Sequence, residues 1–153
     1  MKIERIAVIG CGAMGSGIAY VSALTGYTVR VVEQNEDLLQ KGLKKVREHV
    51  ITGVNKGKLT PKQAEETMKK IKGTTRLGEA VEHVDLAMEA VFEDMDVKKK
   101  LFAELDKTCP AQTVLASNTS SLSISEMASA TKRPDKVIGI HFFNPVPAMK
   151  LVE

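Results

Sequence analysis

The stretch Ile6-Ala7-Val8-Ile9-Gly10-Cys11-Gly12-Ala13-Met14-Gly15 decides how the rest of the chain is read. The apolar run Ile6 to Ile9 has the length and composition of a buried strand. Three glycines follow in the spacing G-x-G-x-x-G, and then an apolar helical pattern through Ala19, Val21 and Leu24. In a strand–turn–helix unit, Gly10 permits the tight turn, Gly12 lets a pyrophosphate approach the backbone, and Gly15 lets the helix sit close to the strand. The free amides and positive dipole end of such a helix face phosphates. A second apolar run, Thr28 to Val32, ends in Glu33, 23 positions after Gly10. That is near the ~20-residue spacing of a ribose-binding acid. The alternative is an ordinary glycine turn, but the flanks and the acid together predict a dinucleotide site.

The 153 residues suffice for one domain with a substantial core. Hydrophobic residues make up 43% and charged residues 27%, which argues against disorder and coiled coil. No apolar run reaches the ~18 residues of a membrane span. Lys2 leads almost directly into the first strand, so no signal peptide is expected. Cys11 and Cys109 are far apart and show no metal-ligand spacing, so neither a metal nor a disulfide is expected, and the chain reads as cytoplasmic. A net charge of +3 does not by itself imply nucleic acid. The charge is uneven, however. Residues 36–72 hold 10 Lys or Arg against 5 Asp or Glu, and the remainder is net negative.

Asn35 reads as the cap of a helix from Glu36 through Leu39, Leu43, Val46 and Val50, interrupted near Gly53 and Gly57. Thr60-Pro61-Lys62-Gln63 opens a second helix with a capping box. Residues 36–72 thus read as a helical hairpin in place of one crossover helix. Further strands are expected at Thr74-Thr75, Asp85 to Ala90, Thr113 to Ala116 and Val137 to Ile140. Helices are expected over Asp96 to Lys107 and, behind the box Ser123-Ile124-Ser125-Glu126, over 124–130. A proline-bearing loop precedes a last short run, Met149 to Val152. Alternating strands and helices give an α/β, Rossmann-type doubly wound fold with a mostly parallel sheet and an inserted hairpin. Ligands of such sheets sit outside the carboxyl ends of the strands, so Glu33, Glu93, Ser117 to Ser121 and His141 should gather along one edge.

Of three histidines, His49 and His83 read as surface or helix-end residues. His141 directly follows a strand and can present a ring nitrogen to the crevice; its plain alternative is a satisfied strand-end histidine. Ser117-Asn118-Thr119-Ser120-Ser121 reads either as hydrogen-bonding groups at the crevice or as a cap for the next helix. Glu93 with Lys98 reads most simply as surface charge, and the basic hairpin as a solvated face.

The glycine motif, the Ser117–Ser121 block, and His141-Phe142-Phe143-Asn144-Pro145-Val146-Pro147 through Lys150-Leu151-Val152-Glu153 resemble the NAD-binding domain of L-3-hydroxyacyl-CoA dehydrogenases, most closely its short-chain 3-hydroxybutyryl-CoA branch. The resemblance spans essentially the whole chain. It implies that His141 is the catalytic base, Glu153 its paired carboxylate, and Ser120 the serine near substrate hydroxyl and nicotinamide. It implies NAD contacts from Gly10, Gly12, Ala13, Met14 and Gly15, from Glu33 (commonly Asp in the family), and from Ala90, Glu93, Lys98, Ser120 and Asn144. Lys56 falls where the family places a lysine on coenzyme A, so Ser120 and Lys56 are the substrate-binding candidates. The family's second, helical domain, which encloses an acyl-CoA and forms a homodimer, is absent from residues 1–153.

Oxidising a secondary alcohol requires a base for the hydroxyl proton, while NAD supplies the hydride chemistry. Histidine suits that task because its ordinary pKa, ~6.5, lies near working pH. A carboxylate on its other nitrogen fixes the tautomer and stabilises the imidazolium. Two alternatives stay open: another two-domain β-hydroxyacid dehydrogenase, and a dinucleotide-binding module without turnover.

Overall fold

The computed structural model describes residues 2–153. Six strands form one parallel sheet in the order β3-β2-β1-β4-β5-β6. They are β1 (Arg5–Ile9), β2 (Thr28–Val32), β3 (Ile71–Thr74), β4 (Leu86–Glu89), β5 (Val114–Ser117) and β6 (Val137–Gly139). The order reverses between β1 and β4, which opens a crevice at the carboxyl ends of those two strands. Alternation of side chains divides the core. Val8, Val29, Val31 and Met88 pack under α1 (Ala13–Leu24), α2 (Glu36–Asn55) and α3 (Pro61–Lys69). Ala7, Ile9, Ala87 and Leu115 pack under α4 (Leu77–Val81), α5 (Met95–Thr108) and α6 (Ile124–Ala128).

The hairpin caps form as read. Asn35 Oδ1 accepts the Leu38 amide at 2.9 Å, and Thr60 and Gln63 close a reciprocal box. Other expectations need correction. The third strand is Ile71–Thr74 and not Thr74-Thr75, because Ile71 pairs with Val29 and buries its side chain, so the hairpin stops at Lys69. Helix α4 is not legible in the sequence, since five residues carry too little periodicity. β6 lies at the sheet edge with Ile138 47% exposed, not in the buried setting its sequence suggests. Ser123 caps α6, but Glu126 turns to Lys99 and leaves the box open.

One close approach sets the entry to α1. Gly10 has φ +89°, and a Cβ on Gly15 would lie 1.8 Å from the Gly10 carbonyl oxygen. A Cβ on Gly12 would meet nothing within 4 Å. Gly15→Ala should therefore destabilise the fold by about 1–3 kcal/mol or more in urea unfolding. Gly12→Ala meets no clash and should cost at most the ~1 kcal/mol of a poorer N-cap, while it weakens dinucleotide binding.

Asp85 ties the other ends of the strands together. Its carboxylate accepts the Glu4 and Arg5 amides at 2.9 Å and pairs with the Arg5 guanidinium at 3.0 Å. The Arg5 guanidinium, helped by those amides, holds the carboxyl at about 2, below its ordinary 3.8. The unfolded chain takes the proton first, so this contribution is complete above pH 3.8 and is lost as pH falls through about 2. The stability gap between the wild type and Asp85→Asn should accordingly be full at pH 6 and close towards pH 2.

Candidate active site

Helix α1 begins at the switch point directly after β1. Its N-cap, Gly12, offers no side-chain hydrogen bond, whereas α2, α3 and α5 are all capped by side chains. Its first amides therefore face the crevice without a side-chain acceptor, as an anion-binding helix start requires. Glu33, at the end of β2, accepts the Cys11 amide on Oε1 at 2.6 Å and the Gln34 amide on Oε2 at 3.3 Å. Its carboxylate is thereby held beside the glycine turn. Next to Gly10 and Glu33 lies a cleft of about 390 Å³ walled by Val32, Leu77, Val91, Phe92, Val97 and Leu101. Such a slot suits a flat aromatic ring. The Cys11 thiol is unsuited to chemistry, because burial pushes it up to about 12.

A second group lies where β4, β5 and α5 meet. Glu89 is fully buried and Lys98 is 1% exposed. The Lys98 ammonium pairs with Glu89 at 2.7 Å and Glu93 at 2.9 Å. Glu89 also accepts the Ser117 hydroxyl and, at 3.0 Å, the Val91 amide. Glu93 accepts the Thr119 hydroxyl. Burial works to raise the Glu93 carboxyl, but the Thr119 hydroxyl and Lys98 ammonium outweigh it and hold it below the usual range. The reading of Glu93 and Lys98 as surface charge is thus overturned for Lys98.

The third group is at the end of β6. The His141 amide donates to the Glu153 carbonyl at 2.8 Å and the Glu153 amide donates to the His141 carbonyl at 3.0 Å. With Phe142 bridged to Val152, this folds the chain back on itself across the Asn144–Pro147 turn. The same pairing sets His141 Nδ1 3.1 Å from Glu153 Oε2. Ser120, His141 and Glu153 line one cleft of about 280 Å³. Asn118 Oδ1 accepts the Phe142 amide at 2.8 Å and so ties the serine-rich turn to this loop. A base oriented by a carboxylate beside a serine hydroxyl is equipped to move a proton from a bound alcohol.

The family model described as "3-hydroxyacyl-CoA dehydrogenase, NAD binding domain" matches residues 5–153. The chain belongs to that family. It is 46% identical over all its residues to a probable 3-hydroxybutyryl-CoA dehydrogenase of Bacillus subtilis, and covers 53% of that protein. Over 97% of its residues it is 47% identical to a 3-hydroxybutyryl-CoA dehydrogenase of Clostridioides difficile, again covering 53% of the relative. The crystal structure of 3-hydroxybutyryl-CoA dehydrogenase from Escherichia coli K12 superposes with a TM-score of 0.94 at 41% identity, over 99% of this chain and 32% of that one. The chain spans about half the length of the curated relatives it matches.

The family's cofactor is NAD, and the residues fit it: an uncapped helix start, open space over Gly12 and a carboxylate held by the turn. Gly10, Gly12, Ala13, Met14, Gly15 and Glu33 lie around that turn. Ala90 follows β4, and Glu93 and Ser120 close the same end of the sheet. Asn144 is exposed in the turn before Pro145. Lys98 reaches the site only through its carboxylate partners. Lys56, an exposed residue that ends α2, is not brought to this edge. It stands 14 residues, or about 21 Å of helix, beyond Gly42, the residue against Cys11. His49 is half-buried and stacked on Tyr20, with ring centroids 5.8 Å apart, so it is only partly the surface residue the sequence suggests.

Sequence reasoning missed Glu89, whose position inside an apolar run reads simply as a strand end, and the walls Leu77, Val91 and Phe92. The Glu89–Lys98 pair generates a sharp expectation. Lys98→Met leaves a fully buried carboxylate without its cation and should cost about 3–5 kcal/mol in urea unfolding.

Proposed function

We propose that this chain is the cofactor-binding and proton-transfer half of an enzyme that oxidises the 3-hydroxyl of a short acyl-CoA, with NAD as acceptor. The observation that carries the reading is the His141–Glu153 pair at 3.1 Å, opening on a cleft with Ser120 at the crevice of a NAD-binding domain. NAD, when bound, supplies the hydride acceptor. Glu33 receives the adenosine ribose, the α1 amides the pyrophosphate, and Glu93 and Asn144 the nicotinamide side. His141, oriented by Glu153, takes the hydroxyl proton while Ser120 hydrogen-bonds the same oxygen.

Lys41, Lys44 and Lys45 line a depression of about 330 Å³ beside Gly12 and Glu33. Together with Lys56 at the far end of α2 they make a basic face suited to the phosphates of coenzyme A. A helical domain following this one encloses the acyl group and forms the homodimer in the complete enzyme. Among the described residues no helix is long and apolar enough to cross a membrane.

The test has two parts. Titration of the chain should give tighter binding of NAD than of NADP, because Glu33 repels a 2′-phosphate; equal or reversed affinities refute the cofactor assignment. In the complete enzyme, His141→Gln should lower oxidation of 3-hydroxybutyryl-CoA by ~10²–10⁴ with NAD affinity intact. Retained turnover refutes His141 as the base.

A further inference from the structure

A carboxylate and an ammonium, both at most 1% exposed, sit together under the cofactor edge. Burying such a pair is costly, and packing alone does not account for it, because an apolar pair of similar volume serves the fold as well or better. The connections show what the charge accomplishes. Glu89 carries no exposed surface, but Lys98 spans from it to Glu93, whose side chain is 43% exposed at the end of the sheet that bears the crevice. Glu93 in turn receives the Thr119 hydroxyl. Thr119 Oγ1 accepts the amides of Ser121 at 3.3 Å and Leu122 at 3.0 Å, so Ser120 lies in a turn tied on both sides. The Glu89 backbone joins in as well, its carbonyl accepting the Asn118 amide at 3.0 Å. Every buried side-chain nitrogen and oxygen among the described residues has a partner.

We propose that Glu89 is a positioning residue: through the Lys98 ammonium and the Ser117 hydroxyl it fixes the Glu93 carboxylate and the Thr119–Ser121 turn in the orientation that the bound dinucleotide meets. The inference rests on NAD occupying the crevice. Without Glu89 the ammonium loses its buried seat and keeps only Glu93 as a charged partner, so the Lys98–Glu93 pair is free to move together toward solvent. A carboxylate near an open rim gains little from an ion pair by itself. Its orientation therefore depends on the buried half of the relay.

A structural role and a positioning role separate in the double variant Glu89→Gln/Lys98→Met. It removes both buried charges together, keeps an acceptor for Ser117, and should melt close to the wild type. NAD affinity, read by titration of the 153-residue chain, should nevertheless fall about tenfold, as metal affinity does at the low end when the orienting partner of a metal ligand is lost. Glu89→Asp is the second variant. It keeps the charge and draws the carboxylate back by one methylene, and it should weaken NAD several-fold at a temperature well below its own, somewhat lowered, melting point. Unchanged NAD affinity in a folded double variant overturns the proposal; if the double variant does not fold, unchanged affinity in Glu89→Asp does so. Failure of the wild-type chain to bind NAD instead overturns the cofactor reading on which the proposal stands.

Discussion

Helix α1 touches the turn that feeds it at the one place where only a hydrogen fits, and the rest of the domain is arranged around that contact. With Gly15 against the Gly10 carbonyl, the helix start can stand over the carboxyl end of β1. The same helix then serves as a platform. Gly17 has Val146 against it, where a Cβ would fall 2.8 Å from the valine Cβ, and α2 crosses it at Tyr20 and His49. Cofactor helix, hairpin and histidine loop thus share one surface. Their relative placement depends on small residues along α1, which lets the backbones approach closely.

The carboxylates along this edge are held in three different ways. Glu33 is held by backbone amides, which fix its direction and leave its charge to face a polar ligand. Glu89 is neutralised in the interior by an ammonium. Glu153 is placed by its own main chain, because the reciprocal amide–carbonyl pair with His141 brings the two side chains together before they interact. The last arrangement keeps an exposed carboxylate beside its histidine at little entropic cost. A surface pair of long side chains ordinarily gains almost nothing.

What could be read from the residues follows the range of the forces involved. The glycine turn, the Asn35 cap and the Thr60 box are settled within a few positions, so their spacing is visible in the chain. Strand β3 escapes local pattern because Ile71 is recognised as a strand residue only through its partner Val29, 42 positions away. Helix α4 is one turn and a little more, too short for a period to emerge. The burial of Lys98 was hidden for a different reason. A lysine on the first turn of an amphipathic helix looks solvated until the strand end beneath it proves to carry Glu89. The proximity of His141 and Glu153 was implied by family likeness, and spacing only permitted it. The pairing is made by two backbone hydrogen bonds that no side-chain pattern announces.

Val146 lies in the turn that joins His141 to Glu153, and it is buried against a residue 129 positions earlier in the chain. The His141–Glu153 turn and helix α1 are therefore neighbours by direct contact, although five strands and most of the helices separate them in sequence. Their separation is set where Gly17 meets Val146 and Pro147, and it is not the sum of the loops and strands between them. A change of length in the connecting segments need not pass into this contact, whereas a single methyl added at Gly17 would meet the Val146 side chain directly.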